Sequence, residues 1–197
     1  MKLIKTVLVF VMSFGIAANA FALRSAILDF RSNEKQRQAV LEDSAHVLTK
    51  LYESEPHAKA AVEKAYGYAT FSNFATKFIF VGSGGGRGVA VNKKTGQRTF
   101  MNMLVAQAGL GIGVKSYMLV WVFDNEKGYN DFINSGWELG AQASAAAKAG
   151  SSGGALQGAM EIASGVYVYQ LSGSGLALEL TAQGTKYYKD NDLNNKK

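Results

Sequence analysis

Residues 76–123 read TKFIFVGSGGGRGVAVNKKTGQRTFMNMLVAQAGLGIGVKSYMLVWVF, and this stretch decides the fold. Apolar runs rich in β-branched and aromatic residues are broken by glycine and by one polar corner, Lys93-Lys94-Thr95-Gly96. Such runs suit a pleated, half-buried surface, and glycine supplies the positive φ that tight turns need, so the spacing predicts antiparallel strands with a hairpin at Lys93–Gly96. Within the same stretch Leu110, Ile112 and Val114 alternate with Gly109, Gly111 and Gly113. At a period of two this places aliphatic side chains on one face of a strand and bare backbone on the other. Strand glycines mark close approach of another backbone or a ligand, so Gly109, Gly111 and Gly113 are read as close-packing positions.

Upstream, residues 1–22 have the pattern of a secretory signal peptide. Lys2 and Lys5 form a positive start, Val7 to Ala18 is apolar, and Ala18-Asn19-Ala20 or Ala20-Phe21-Ala22 offers small residues for cleavage. The apolar core is too short for a spanning helix. These features predict a periplasmic or secreted protein of about 175 residues, the size of one domain with a substantial core. The chain has no cysteine, which excludes disulfides and acylation of a lipoprotein-type cysteine. Loss of Lys2 and Lys5 takes the formal net charge from +6 to +4. That mild excess favours anionic partners, and for an exported protein these are membrane surfaces or envelope polyanions rather than nucleic acid.

Residues 23–43 form an N-terminal segment and the start of an amphipathic helix spanning Glu34–Glu53. Val40, Ser44, Val47 and Leu51 fall on one line of it and Leu41, Ala45, Leu48 and Tyr52 on the next. Its polar face mixes acids with bases, which favours packing on a sheet over insertion into a membrane. Ser54-Glu55-Pro56-His57 predicts a break capped by Ser54, then a shorter helix to about Tyr66 that Gly67 ends. Tyr68–Phe74 leads into the sheet, Asp124–Ile133 holds a short helix closed by Gly136, and Trp137–Ala145 alternates as a strand. Ala155–Ser164 fits strand and helix equally. Val166–Leu171 and Leu176–Gln183 are strands, and 189–197 is a polar, disordered tail. The fold class expected is α+β, with N-terminal helices packed on a strongly curved, glycine-rich antiparallel sheet of seven or eight strands or a partial β-barrel.

Tests for catalytic chemistry find no constellation. Gly82–Gly88 satisfies neither G-x-G-x-x-G nor the P-loop pattern and reads as a flexible or sharply bent strand connection. Gly150-Ser151-Ser152-Gly153-Gly154 is a literal G-x-S-x-G, yet His46 and His57 both precede it, against the chain order of a nucleophile elbow. Neither histidine has a metal-ligand spacing, and Glu138 and Glu179 lie in separate strands. The reading is therefore of a non-enzyme with no cofactor and no metal. Lys93, Lys94 and Arg98, with Lys77, Arg87 and Lys115 near in sequence, are the expected lipid-binding cations, placed along one rim of the sheet. Protection of an exposed sheet edge is the competing reading of the same lysines.

Four motifs in order carry a resemblance: Ala65-Tyr66-Gly67-Tyr68-Ala69-Thr70-Phe71-Ser72-Asn73, Gly84-Gly85-Gly86-Arg87-Gly88-Val89, Gln107-Ala108-Gly109-Leu110-Gly111-Ile112-Gly113, and Trp137-Glu138-Leu139-Gly140-Ala141-Gln142-Ala143-Ser144. Together they resemble the SYLF domain, the lipid-binding family that also includes yeast actin-associated proteins, over residues 44–188. Many members have proline after the first aromatic motif, where this chain has Ser72-Asn73. The resemblance implies a binding module with membrane phospholipid as ligand class, in peripheral contact with anionic phospholipid or another envelope lipid. The alternative from the residues is a structural envelope protein that oligomerises or holds a protein partner through its glycine-rich strands. If the leader is cleaved as its pattern predicts, intact-mass measurement of the exported chain will show an N-terminus at Phe21 or Leu23, and an uncleaved Met1 would overturn that expectation.

Overall fold

The computed structural model describes residues 31–78, 81–108, 113–136, 138–139, 156–172, 175–177 and 185–195. In chain order these form α1 (31–54), α2 (His57–Lys64), β1 (Gly67–Phe78), β2 (Val81–Asn92), β3 (Arg98–Ala108), β4 (Gly113–Phe123), α3 (Glu126–Ser135), β5 (Glu138–Leu139), β6 (Met160–Ala163), β7 (Val166–Ser172), β8 (Gly175–Ala177), β9 (Thr185–Lys189) and α4 (Asn191–Asn194). The nine described strands make one antiparallel sheet ordered β5-β9-β3-β2-β1-β4-β7-β6, with β8 beside β6 on the same edge of β7. It is a strongly curled half-barrel, so the α+β class and the curved sheet read from the sequence hold.

The curl follows from distances between rings. Tyr187 on β9 and Trp121 on β4 are four strand spacings apart, about 19 Å in a flat sheet. Their ring centroids are nevertheless 5.1 Å apart, and Tyr187 also lies 4.9 Å from Phe71 on β1. Phe132 from α3 fills the middle, 5.1 Å from Trp121 and 5.3 Å from Tyr187. Trp121, Phe132 and Tyr187 are fully buried, so the described interior is a packed aromatic core. α3 is aimed into it by local chemistry: Asn125 Oδ1 accepts from Gly128 N at the start, and Gly136 at φ 63° ends the helix.

The outer face is crossed by α1. Val40, Ser44, Val47 and Leu51, the line anticipated from the 3.6-residue period, are all buried. Val47 and Leu51 join Val120, Val122, Tyr169 and Leu171, while Val40 sits with Val89, Phe100 and Leu193. Between them Thr70 Oγ1 donates to Ser44 Oγ at 2.7 Å, which satisfies the polar pair beneath the helix. The helix packs on the sheet, as expected.

Four expectations need correction. Ser54 belongs to α1, and the turn is held instead by Glu55 Oε1, which accepts from His57 N. α2 ends at Lys64 rather than near Tyr66, because Ala65 is already extended and Tyr66 N donates to Phe123 O, joining the sheet. Gly82–Gly88 is no connection: it lies inside β2, paired on both sides with β1 and β3. A Cβ on Gly88 would collide with the Thr70 carbonyl and the Phe71 ring, so glycine there lets an aromatic side chain cross the neighbouring strand. The C-terminal residues to 195 are packed, not a loose tail. Asp190 caps α4, Leu193 is buried, and Arg37 Nε donates to Leu193 O at 2.7 Å. Ala155–Ser164, ambiguous in sequence, contains β6. Gly109 and Gly111, all but Glu138–Leu139 of the strand expected at Trp137–Ala145, and most of Leu176–Gln183 lie outside the described residues; Gly113 opens β4 opposite Lys77.

Two tests follow. Gly88→Ala is expected to cost about 1–3 kcal/mol in urea unfolding, whereas Gly85→Ala, whose nearest Cβ neighbour is 3.7 Å away, stays within about 0.5 kcal/mol of the parent. Burial pushes the phenols of Tyr129 and Tyr169 up to about 12, and that of Tyr187 well above its ordinary value. The unfolded chain releases these protons near pH 10 and the folded chain later. Stability is therefore intact below about pH 10 and falls as pH rises towards 12. Tyrosinate absorbance should show these groups silent until the chain unfolds; early, non-cooperative ionisation would refute the packed interior.

Candidate lipid-facing surface

The described inside of the half-barrel is filled, which leaves surfaces and peripheral grooves as the places open to a ligand among the described residues. One groove of about 840 Å³ runs between α3 and the β6–β7 turn, lined by Asn125, Gly128, Ser135, Ser164 and Val166 among others. Its charged rim, Lys127 and Asp131, is self-paired through a 2.6 Å contact. Close by, burial, then the Glu161 carboxylate, raises Asp124 above its ordinary value. An acidic margin of this kind does not suit an anionic headgroup.

The sheet itself has a different character. The strands β9, β3, β2, β1 and β4, adjacent in that order, contain Lys77, Arg87, Arg98, Lys115, Lys186 and Lys189 and not one Asp or Glu. Acids of the described residues stand in the helices, in turns and in the short strands β5 and β6. Four of these strands, β1 to β4, are internal, so protection of a sheet edge does not explain their cations.

The six cations expected on one rim do not share one. Lys93 and Lys94 form the β2–β3 turn with Arg98 at the foot of β3, and all three are exposed. The turn is rigid, because Asn92 Oδ1 accepts from both Lys94 N and Thr95 N. Lys94 Nζ lies 4.9 Å over the Tyr66 ring. Arg98 favours the ionised form of its neighbour Tyr68, partly offsetting the burial that raises that phenol. Arg87 is five residues up the strand from Asn92, where its Nη1 donates to Gln36 Oε1 of α1 at 2.7 Å. Lys77 pairs with Gly82 and Gly113, and Lys115 with Ala75, at the far end of the strands. Ten residues separate Lys77 from Gly67, which faces Asn92, so about 33 Å of strand divides the two groups. The hairpin trio is the compact cluster.

The remaining sequence candidates stay apart. His46 is exposed on α1, and His57 opens α2 with its Nδ1 2.9 Å from Glu55 Oε1. Glu138 is in β5 opposite Lys186, while Glu179 and Gly150–Gly154 lie outside the described residues. Among the described residues no group of three or more His, Cys, Asp or Glu gathers in metal-binding geometry. The sequence carries no sign of Leu104 and Tyr188, which among the described residues are the exposed large hydrophobic ones, at 51% and 42% accessible. Alternation assigns each to a face but carries no signal of whether a helix covers it.

Comparison with known proteins supports the SYLF resemblance and places the C-terminal half of the chain, residues 105–197, in that family. Residues 105–197 match the family model Ysc84, described as Las17-binding protein actin regulator. The chain is also similar to Beta cell expansion factor A of Aeromonas veronii, at 34% identity over 168 residues, an alignment too long to be confined to the family match. That alignment covers 85% of this chain and 62% of the relative, so the chain spans less than two thirds of that protein's length.

Proposed function

We propose that this protein is an exported, non-catalytic lipid-binding module of the SYLF type, which attaches peripherally to membranes rich in anionic phospholipid. Lys93, Lys94 and Arg98 make the first electrostatic contact. The observation that carries this reading is the segregation of charge: five adjacent strands hold cations only, and the most compact group of cations projects from a rigid turn at their end. A surface of one sign raises the local concentration of opposite charge and steers encounter, which suits an anionic bilayer. Each cation near such a surface is worth about 1 kcal/mol. Three together amount to roughly a hundredfold in affinity at low salt, weakened as ionic strength shortens the Debye length.

The family description concerns an actin regulator, whereas the leader at residues 1–22 directs this chain away from cytoplasmic actin. Lipid is therefore the partner class proposed. No cofactor enters the reading.

Co-sedimentation with vesicles tests it. The mature protein should pellet with phosphatidylglycerol-containing vesicles and not with pure phosphatidylcholine. Lys93→Glu/Lys94→Glu/Arg98→Glu should weaken that binding at least tenfold with its circular dichroism unchanged, since all three side chains are exposed. Equal pelleting with neutral and anionic vesicles would remove the electrostatic basis of the proposal.

A further inference from the structure

α1 divides the outer face of the sheet at the row Thr70–Val89–Phe100. On the hairpin side Ala58 and Val62 of α2 share a cluster with Tyr68 and Val122. On the other side come two further rows of paired residues. Ser72, Arg87, Asn102 and Tyr188 form one, and Gly85, Leu104 and Lys186 the other. None of the described helices buries these rows: Leu104 is 51% and Tyr188 42% accessible, and Arg87 and Gly85 are exposed.

The two hydrophobic residues are diagonal neighbours. Asn102 faces Tyr188 and Leu104 faces Lys186, so Leu104 and Tyr188 sit on adjacent strands and the same face, two positions apart. Isolated apolar residues on a surface are ordinary, but here the exposed large ones of the described chain coincide. Gly85, opposite Leu104, leaves bare backbone beside them, with nothing nearer than 3.7 Å to a Cβ placed there.

We propose that this uncovered half of the outer face, centred on Leu104 and Tyr188 and flanked by Arg87, is the surface that seats in the interfacial layer of an anionic bilayer. The proposal rests on the lipid-binding reading above and places its apolar contact away from the hairpin. Charge complementarity selects the occupant. The strands that build this face contain no acid, Arg87 stands on it with Nη1 donating to Gln36 of α1, and the acids that border it are Glu138, opposite Lys186, and the buried Asp190, two residues past Tyr188, whose Oδ1 is engaged in capping α4. Two-fold pairing with a second copy would set Arg87 and its neighbours against like charges, whereas phosphate headgroups would meet them with opposite charge. Tyrosine suits the boundary between headgroup and hydrocarbon, having an apolar ring and a polar tip, and an arginine beside it can keep its stem in the apolar layer with its charge at the phosphates.

The absence of cysteine makes the test direct, because a single introduced cysteine gives a single label. Leu104→Cys and Tyr188→Cys, each carrying an environment-sensitive nitrobenzoxadiazole probe, are mixed with phosphatidylglycerol/phosphatidylcholine vesicles; Asn134→Cys on exposed α3 is the control. A several-fold rise in emission at 104 and 188, quenched by spin-labelled lipid and absent at 134, is expected. Leu104→Ser and Tyr188→Ser should each weaken vesicle binding about tenfold, the change from one lost apolar contact. Binding of the protein with the probes at 104 and 188 still in water overturns this inference and leaves the lipid-binding reading standing. Failure of the parent protein to bind anionic vesicles overturns both. A lipid-free oligomer seen by light scattering and abolished by Leu104→Ser would assign the face to self-association instead, overturning the bilayer as its occupant.

Discussion

Contact between Trp121 and Tyr187 is the constraint on which the remaining architecture depends. Side chains from β4 and β9 meet only if the intervening β1, β2 and β3 bend through a half-turn, and Phe132 then fills the space that the bend encloses. A sheet closed in this way has an inside too full for a ligand among its described residues and an outside too wide for one helix. α1 covers a diagonal band of that outside and α2 a second patch. What is left over is polar, cationic and marked by two exposed apolar residues.

Charge follows the same division. Acids concentrate in the helices and the turns around them, where Glu34, Glu53 and Asp131 pair with Arg37, Lys50 and Lys127 at one turn's spacing. The central strands hold cations and no acid on backbone that the sheet makes stiff. Surface ion pairs of the helical kind contribute little to stability. The strand cations, gathered where the strands carry no acid of their own, are therefore the part of the charge distribution with consequences for partners, through the field they set up outside the molecule.

Much of this was legible from residue order, and the failures have physical causes. The stripe Val40, Ser44, Val47, Leu51 was legible because a helix with one buried line leaves a strong 3.6-residue signature. The Lys93–Gly96 hairpin was legible because few residues tolerate its geometry. Gly82–Gly88 misled because glycine marks turns and close approach alike, and only the strand opposite, with Phe71 over Gly88, tells them apart. The cations looked like one patch because nearness along an antiparallel chain is not nearness in space: a twelve-residue strand carries Lys77 to the far end. The patch of Leu104 and Tyr188 joins positions 84 residues apart, and pairing of β3 with β9 is a long-range choice that no local pattern records. The C-terminal residues were read as a tail because their composition is polar, although Leu193 among them is buried with Val40, Val89 and Phe100.

That anchorage ties the two extremities of the fold together. Arg37 donates to the carbonyls of Leu193 and Asn195, Asn33 to that of Asp192, and Asn194 exchanges hydrogen bonds with Phe100. The first half of α1 thus has no complete seat until Leu193, 156 residues further along the chain than Arg37, is in place, which makes its docking a long-range event. Without the segment Asp190–Asn195 this helix would be half-held, its Arg37 left without the carbonyls it donates to.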